Sequence, residues 1–82
     1  MALQANDVLQ GLIEIAAEET GFEAGVIEPG SSFVADLDVD SLSMMTIVTL
    51  AEERFSAKIP DEAIGKLVTI QDAVDFIVEA SA

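Results

Sequence analysis

The chain has 82 residues, 51% of them hydrophobic and 5% aromatic, and its 16 acidic residues against three basic ones give a formal net charge of -13. This length favours a single domain, residues 1–82, and the aliphatic composition suits a small helical bundle. The negative charge argues against nucleic-acid or anionic-membrane partners. The chain has no His and no Cys, so it lacks the usual general base, the best nucleophile and any thiolate metal site.

The first predicted element is an amphipathic helix that ends at Gly21. Asn6 and Asp7 are candidate N-caps, and Gln10 follows Asp7 at the spacing of a capping box. The apolar stripe consists of Val8, Leu12, Ile15 and Ala16, with Leu9 and Ile13 beside it. The segment lacks the pattern of a secretion signal, and no apolar run is long enough to span a membrane. We therefore expect a cytoplasmic protein.

Residues 22–40 are rich in glycine and in turn residues and predict a long loop. The apolar side chains expected to tie it to the core are Phe22, Val26, Ile27, Phe33, Val34 and Leu37. The loop ends in DLDVDS, which resembles the start of a calcium-binding loop, but Ser41 stands where the glycine is needed and Ile47 where the chelating glutamate is needed. We therefore predict no metal site.

A second helix is predicted from Asp40 or Ser41 to about Phe55. Its expected core stripe consists of Ile47, Leu50, Ala51 and Phe55, with Met44 at the edge. Leu42, Met45 and Thr49 fall on the opposite side, near acidic residues. A helix that is apolar on both sides near its start favours a docking surface, although single exposed apolar residues are also ordinary.

Two further helices complete the predicted fold. Pro60 starts a short one that Gly65 ends, and the sequence TIQD at residues 69–72 forms a capping box that opens the last helix. The stripe of that helix is Ile70, Ala73, Val74, Ile77 and Val78. The expected fold class is all-α, a small four-helix bundle with three main helices, one short helix and a long loop between helices 1 and 2.

The charge is unevenly distributed, because residues 1–53 contain 11 acidic residues and no basic one. Such a surface attracts partners that present Arg and Lys, or it simply keeps the protein soluble. Nothing in the pattern indicates a stable oligomer, so we expect a monomer.

Ser41, taken alone, would most simply be a helix cap. In context, the segments DLDVDSLSMM, AEERFSAKIPDE and TIQDAVDFI together resemble the acyl carrier proteins of type II fatty acid synthesis, and DLDVDSLSM is similar to the actinobacterial members. The resemblance implies that 4'-phosphopantetheine is attached to Ser41 through a phosphodiester, that acyl chains are carried as thioesters on it, and that the chain has no catalytic residues of its own.

The resemblance also implies the partners and the residues that meet them. The partners would be a phosphopantetheinyl transferase and the malonyl transferase, ketosynthase, ketoreductase, dehydratase and enoyl reductase of fatty acid synthesis, all docking through basic surfaces. The contact residues implied are Asp40, Leu42, Met45, Glu52, Glu53 and Asp61. Those implied to line the acyl-chain cavity are Ile47, Leu50, Ala51, Phe55, Ile59 and Ile64.

The chain departs from the commonest family pattern at Asp38, Ser43, Thr46 and Arg54, and the last two weaken the acidic face of the second helix. These departures bear on whether partners of other carriers would bind this chain equally well. Two alternatives to the leading interpretation stay open. One is a carrier protein of a type II polyketide synthase. The other is an acidic protein-interaction module in which Ser41 is unmodified.

Overall fold

The computed structural model describes residues 3–81, in which four α-helices and one 3₁₀ turn are present and no strand occurs. The elements are α1 (Ala5–Thr20), the 3₁₀ turn (Ala24–Val26), α2 (Ser41–Phe55), α3 (Asp61–Ile64) and α4 (Ile70–Ser81). The all-α class, the three main helices, the short third helix and the long loop before α2 are confirmed. The 3₁₀ turn within that loop was not predicted.

Helix α1 begins earlier than the sequence pattern suggested. Its N-cap is Gln4, which makes no side-chain capping bond, so the capping roles predicted for Asn6 and Asp7 are wrong. The chain is fixed before the helix begins, because the Leu3 N–H donates to the Ser81 hydroxyl at 3.0 Å and Leu3 packs against the core. The predicted C-terminus is confirmed: Gly21 has φ +83° and its N–H donates to the Ala17 carbonyl.

Helix α1 is the centre of the bundle and packs against both α2 and α4. Its buried stripe includes Val8, Leu12, Ile15 and Ala16, as predicted. Gly11 lies where α1 meets α2, and a Cβ at that position would lie only 2.5 Å from Cζ of Phe55. A side chain larger than that of glycine would therefore displace the Phe55 ring where the two helices meet.

The core face of α2 differs from the predicted stripe at one position. Ile47, Val48 and Ala51 are buried, and Phe55 and Met44 pack partly against the core. Leu50 is 38% exposed, so the interior position predicted for it is wrong. At about 100° per residue, Leu50 is about 100° from its neighbour Ala51 around the helix, whereas Val48 is only about 60° away.

The loop between α1 and α2 is tied down by fewer side chains than predicted. Ile27, Phe33 and Leu37 are buried, which confirms half of the predicted ties. Val39 is a further buried residue that was not predicted. The predicted ties Phe22, Val26 and Val34 are wrong, because these side chains are 40%, 62% and 72% exposed.

Backbone hydrogen bonds hold the same loop against the start of α4. The Phe33 N–H donates to the Val68 carbonyl at 3.0 Å, and the Ile70 N–H donates to the Ser31 carbonyl at 3.0 Å. The Gln71 N–H donates to the Pro29 carbonyl at 2.8 Å. These bonds fix residues 29–33 on the bundle and so determine where the following residues enter α2.

The remaining helix boundaries are confirmed. Pro60 and Gly65 flank α3, and α4 opens with the predicted capping box, in which the Thr69 N–H donates to Asp72 Oδ2 and the Asp72 N–H donates to Thr69 Oγ1, both at 3.1 Å. Ile70, Ala73, Val74 and Ile77 are buried as predicted, with Val78 partly buried. None of the helices in residues 3–81 has the length and apolar character needed to cross a bilayer.

Candidate functional site

Ser41 is the first residue of α2, and its side chain is exposed. The N-cap of the helix is Asp40, whose Oδ1 accepts a hydrogen bond from the Ser43 N–H at 2.8 Å. Ser41 is therefore not the cap, and its hydroxyl has no hydrogen-bond partner within residues 3–81. The hydroxyl that the sequence singled out is thus accessible to another molecule.

The carboxyl group beside this hydroxyl is held in its charged form. The pKa of Asp40 is lowered mainly because the Ser43 backbone N–H donates to the carboxylate, with a further contribution from the Ser43 hydroxyl. The cap and the negative charge next to Ser41 therefore persist together well below neutral pH.

The aspartates of DLDVDS act separately rather than converging on an ion. Asp36 Oδ2 accepts from the Ser32 N–H at 2.7 Å and closes a turn, whereas Asp40 caps α2. Asp38, between them, has a left-handed backbone with φ +55°. Among residues 3–81, no three acidic side chains are grouped so that they could hold a metal ion. Two of the three aspartates thus serve the local folding of the loop.

The position of Ser41 fits a phosphodiester on its oxygen. The first turn of a helix presents backbone N–H groups without intrahelical partners and the positive end of the helix dipole. Asp40 accepts a hydrogen bond from the Ser43 N–H, and Ser41 and Leu42 lie in the same first turn. This end of the helix offsets part of the repulsion between an attached phosphate and the Asp40 carboxylate.

A groove of about 520 Å³ opens directly beside Ser41. It lies between the loop, the start of α2 and the connection from α3 to α4, and its walls include Phe33, Val34, Met44, Met45, Ile64 and Val68. Of the six residues implied to line an acyl-chain cavity, Ile64 lies in this groove. Ile47, Ala51 and Ile59 are buried in the core, Phe55 is partly buried, and Leu50 is exposed.

A second, shallower groove of about 270 Å³ runs along the outside of α2. We call its lining the outer face of α2: Leu42, Met45, Thr46, Thr49 and Leu50. Leu42 is 79% exposed and Met45 47% exposed, as the sequence pattern predicted. The Thr46 and Thr49 hydroxyls donate to the carbonyls of Leu42 and Met45 in the same helix, so this face has few polar groups to offer. Leu50 extends this face, although the sequence pattern placed it in the core.

The acidic residues implied for partner contacts occupy different environments. Asp40, Glu53 and Asp61 are exposed. Glu52 is partly buried, and its Oε2 accepts a hydrogen bond from the Ile59 N–H at 2.7 Å, a structural role that the sequence did not reveal. Arg54, which was expected to weaken the acidic face, instead pairs with Glu14 of α1 at 2.8 Å, about 120° around the helix from Leu42.

Comparison with known proteins gives consistent matches over nearly the whole chain. Residues 10–77 match the family model described as a phosphopantetheine attachment site. The chain is similar to the acyl carrier protein of Micrococcus luteus, with 55% identity over 93% of this chain and 94% of that protein. It is also similar to the acyl carrier protein of Beutenbergia cavernae, with 51% identity over the full length of both.

The fold has a close match among solved structures. The acyl carrier protein from Enterococcus faecalis superimposes with a TM-score of 0.82, at 33% sequence identity, over 96% of this chain and 100% of that chain. Both curated relatives named above are actinobacterial, as the resemblance of DLDVDSLSM predicted.

Proposed function

The chain belongs to the acyl carrier protein family, whose members carry phosphopantetheine, and from this premise we propose that Ser41 is the attachment residue. The observation that supports the proposal is the exposed hydroxyl of Ser41, which leaves capping to Asp40 and has no partner of its own within residues 3–81. The attached group supplies a terminal thiol that holds acyl chains as thioesters, and this cysteine-free chain has no thiol of its own.

The residues around Ser41 would each serve this carrier role. Asp40 keeps the first turn of α2 in place, and a phosphate on Ser41 would lie at the positive end of the helix dipole. The groove beside Ser41 offers apolar walls from Val34, Met44 and Ile64 to a bound chain. The outer face of α2 offers an apolar contact surface to visiting enzymes, flanked by the exposed carboxylates of Asp40 and Glu53. Such rim charges chiefly raise association rates.

The pathway we propose is fatty acid biosynthesis, in which the chain delivers growing acyl groups to separate enzymes and catalyses no step itself. The similarity to curated acyl carrier proteins, over 94% and 100% of their lengths, supports this assignment. A polyketide pathway would use the same attachment chemistry, and therefore only its partner enzymes distinguish it.

The attachment site is tested by incubating the protein with coenzyme A and a broad-specificity phosphopantetheinyl transferase and then measuring its intact mass. We expect a gain of one phosphopantetheinyl group, absent in Ser41→Ala and retained in Ser43→Ala, a matched control from the same helical turn. A mass gain that survives Ser41→Ala, or no gain in the unaltered protein, would refute the proposal. The second result would favour an acidic interaction module with an unmodified serine.

The pathway is tested by loading a malonyl group on the modified protein and offering it to purified ketosynthases of the two kinds. Extension by a fatty acid ketosynthase at a higher kcat/KM supports the proposed pathway. Preference for a polyketide ketosynthase would contradict it, although it would leave Ser41 as the attachment residue.

A further inference from the structure

We propose that Met45 is a site of reversible oxidation by hydroperoxides, and that its sulfoxide weakens the docking of partner enzymes on the outer face of α2. The inference concerns the regulation of the same surface and rests on the proposed function for its effect on activity. The oxidation itself depends only on the position of the side chain.

The sulfur chemistry of the chain is confined to methionine. The sequence contains no cysteine and three methionines, so before phosphopantetheine is attached a peroxide meets thioethers rather than a reactive thiolate. Met1 lies outside the described residues, and the other two, Met44 and Met45, are neighbours at the start of α2. The oxidation rates of these two adjacent thioethers can therefore be compared within one protein.

The two neighbouring methionines have different surroundings. Met45 is 47% exposed, whereas Met44 is partly buried and packs against the hydrophobic core. Oxidation of a thioether requires access for the peroxide, so the exposed side chain should react first.

The position of Met45 makes its oxidation consequential. It lines both the groove beside Ser41 and the shallow groove along the outer face of α2. A sulfoxide is a polar hydrogen-bond acceptor, and the two hydroxyls of the outer face, those of Thr46 and Thr49, already donate to backbone carbonyls. The oxidised side chain would thus place an unsatisfied polar group in an apolar contact, which costs binding free energy when a partner covers it.

The reaction is a two-electron oxygen transfer. The thioether sulfur attacks the outer oxygen of the peroxide, the O–O bond breaks, an S–O bond forms, and the proton of the peroxide ends on the departing oxygen as water or an alcohol. Sulfur is oxidised and the peroxide is reduced. Methionine sulfoxide reductases, one for each sulfoxide epimer, reverse the change.

The first experiment measures where oxygen is added. The full chain without phosphopantetheine is treated with hydrogen peroxide, and the methionine-containing peptides are quantified by mass spectrometry over time. We expect Met45 to gain one oxygen atom at least about threefold faster than Met44, in line with its exposure. Equal rates, or faster reaction of Met44, would overturn the assignment of the site.

The second experiment measures the effect on docking. Protein oxidised at Met45 is offered to the phosphopantetheinyl transferase, and we expect kcat/KM to fall by about fivefold relative to untreated protein, which corresponds to about 1 kcal/mol. Treatment with the two reductases should restore the rate. Circular dichroism before and after oxidation shows whether the helices remain intact, so that a fall caused by unfolding counts against the inference.

Two variants provide matched controls, each compared with its own untreated sample. Met45→Leu should show no fall in rate after peroxide treatment, and Met44→Leu should show the same fall as the unaltered chain. A fall that persists in Met45→Leu would overturn the inference. Failure of the proposed function looks different, because then even the untreated protein would take no phosphopantetheinyl group on Ser41.

Discussion

The Ile59 N–H donates a 2.7 Å hydrogen bond to the carboxylate of Glu52, which ties the last turn of α2 to the segment that leads into α3. Glu52 is partly buried, whereas its neighbour Glu53 is exposed. The family resemblance implied the same partner-contact role for both glutamates, but their structural environments differ. Substitutions at the two positions should therefore have different effects on stability.

We predict that Glu52→Ala lowers the free energy of unfolding by about 1–2 kcal/mol, because it leaves the Ile59 N–H without its charged acceptor. Glu53→Ala, as the matched control, should stay within about 0.5 kcal/mol of the unaltered chain. Urea unfolding followed by circular dichroism measures both. Equal effects of the two substitutions would contradict the structural role of Glu52.

Asp40 gives a pH-dependent prediction. Its pKa is lowered in the folded protein by the Ser43 N–H, so its contribution to stability is fully present above the usual aspartate pKa of about 3.9 and is lost as pH falls through the lowered value. Asn caps helices well but does not titrate. The stability difference between the unaltered chain and Asp40→Asn should therefore shift in favour of Asn as the solution is acidified.

Urea unfolding curves of both proteins at several pH values test this. A difference that stays constant down through acid pH would show that the folded protein does not lower the pKa of Asp40. Glu79→Gln, at an exposed position within α4, provides a comparison for general charge effects.

Ser56 ends α2 in a left-handed conformation, with φ 52° and ψ 39°. Because glycine adopts this region without steric cost, Ser56→Gly should stabilise the protein by about 0.5–1 kcal/mol. Ser56→Ala keeps a Cβ and should bring no such gain. If thermal unfolding shows equal effects of glycine and alanine, backbone strain at Ser56 does not reduce the stability of the protein.

The contact between Gly11 and Phe55 predicts a coupled pair. Gly11→Ala improves helix propensity by about 1 kcal/mol, but its methyl group would push the Phe55 ring aside, so we expect net destabilisation. In a Phe55→Leu background the clash is removed, and the same substitution should become neutral or stabilising. A double-mutant cycle measures this coupling, and simple additivity of the two changes would contradict the close approach.

The charge balance predicts a response to salt. Only one ion pair, Arg54 with Glu14, occurs within residues 3–81, against a formal net charge of -13 for the chain. Screening of the remaining repulsion should raise the Tm as sodium chloride increases from low to moderate concentration. Glu18→Gln combined with Glu23→Gln should reduce this dependence. A Tm independent of salt would show that repulsion is unimportant for stability.

Much of the fold could be predicted from the sequence because local chemistry agreed with the final structure. Gly21, Pro60 and the Thr69–Asp72 capping box are read from residue types alone, and all three mark helix ends in the structure. The start of α1 could not be predicted in this way, since it depends on the long-range hydrogen bond between Leu3 and Ser81.

In the loop and the site, too, local patterns were predictable and long-range contacts were not. Periodicity placed Leu42 and Met45 outward but misplaced Leu50, because a position at the edge of a helical stripe can face either way until the neighbouring helices are known. The burial of Val39 and the exposure of Val34 follow from how the loop is bonded to Val68 and Ile70, which no local pattern records. The bond from Ile59 to Glu52 likewise joins residues from two segments.

The attachment of residues 29–33 to the start of α4 bears on how quickly a modifying enzyme can recognise this molecule. If the serine at the start of α2 lay on a flexible segment, each binding event would have to order that segment. The lost conformational entropy would weaken the complex and slow its formation. In this protein the residues that lead into α2 are already ordered in the folded state. Recognition can then proceed as the meeting of two nearly rigid bodies, with its speed governed by diffusion and long-range attraction.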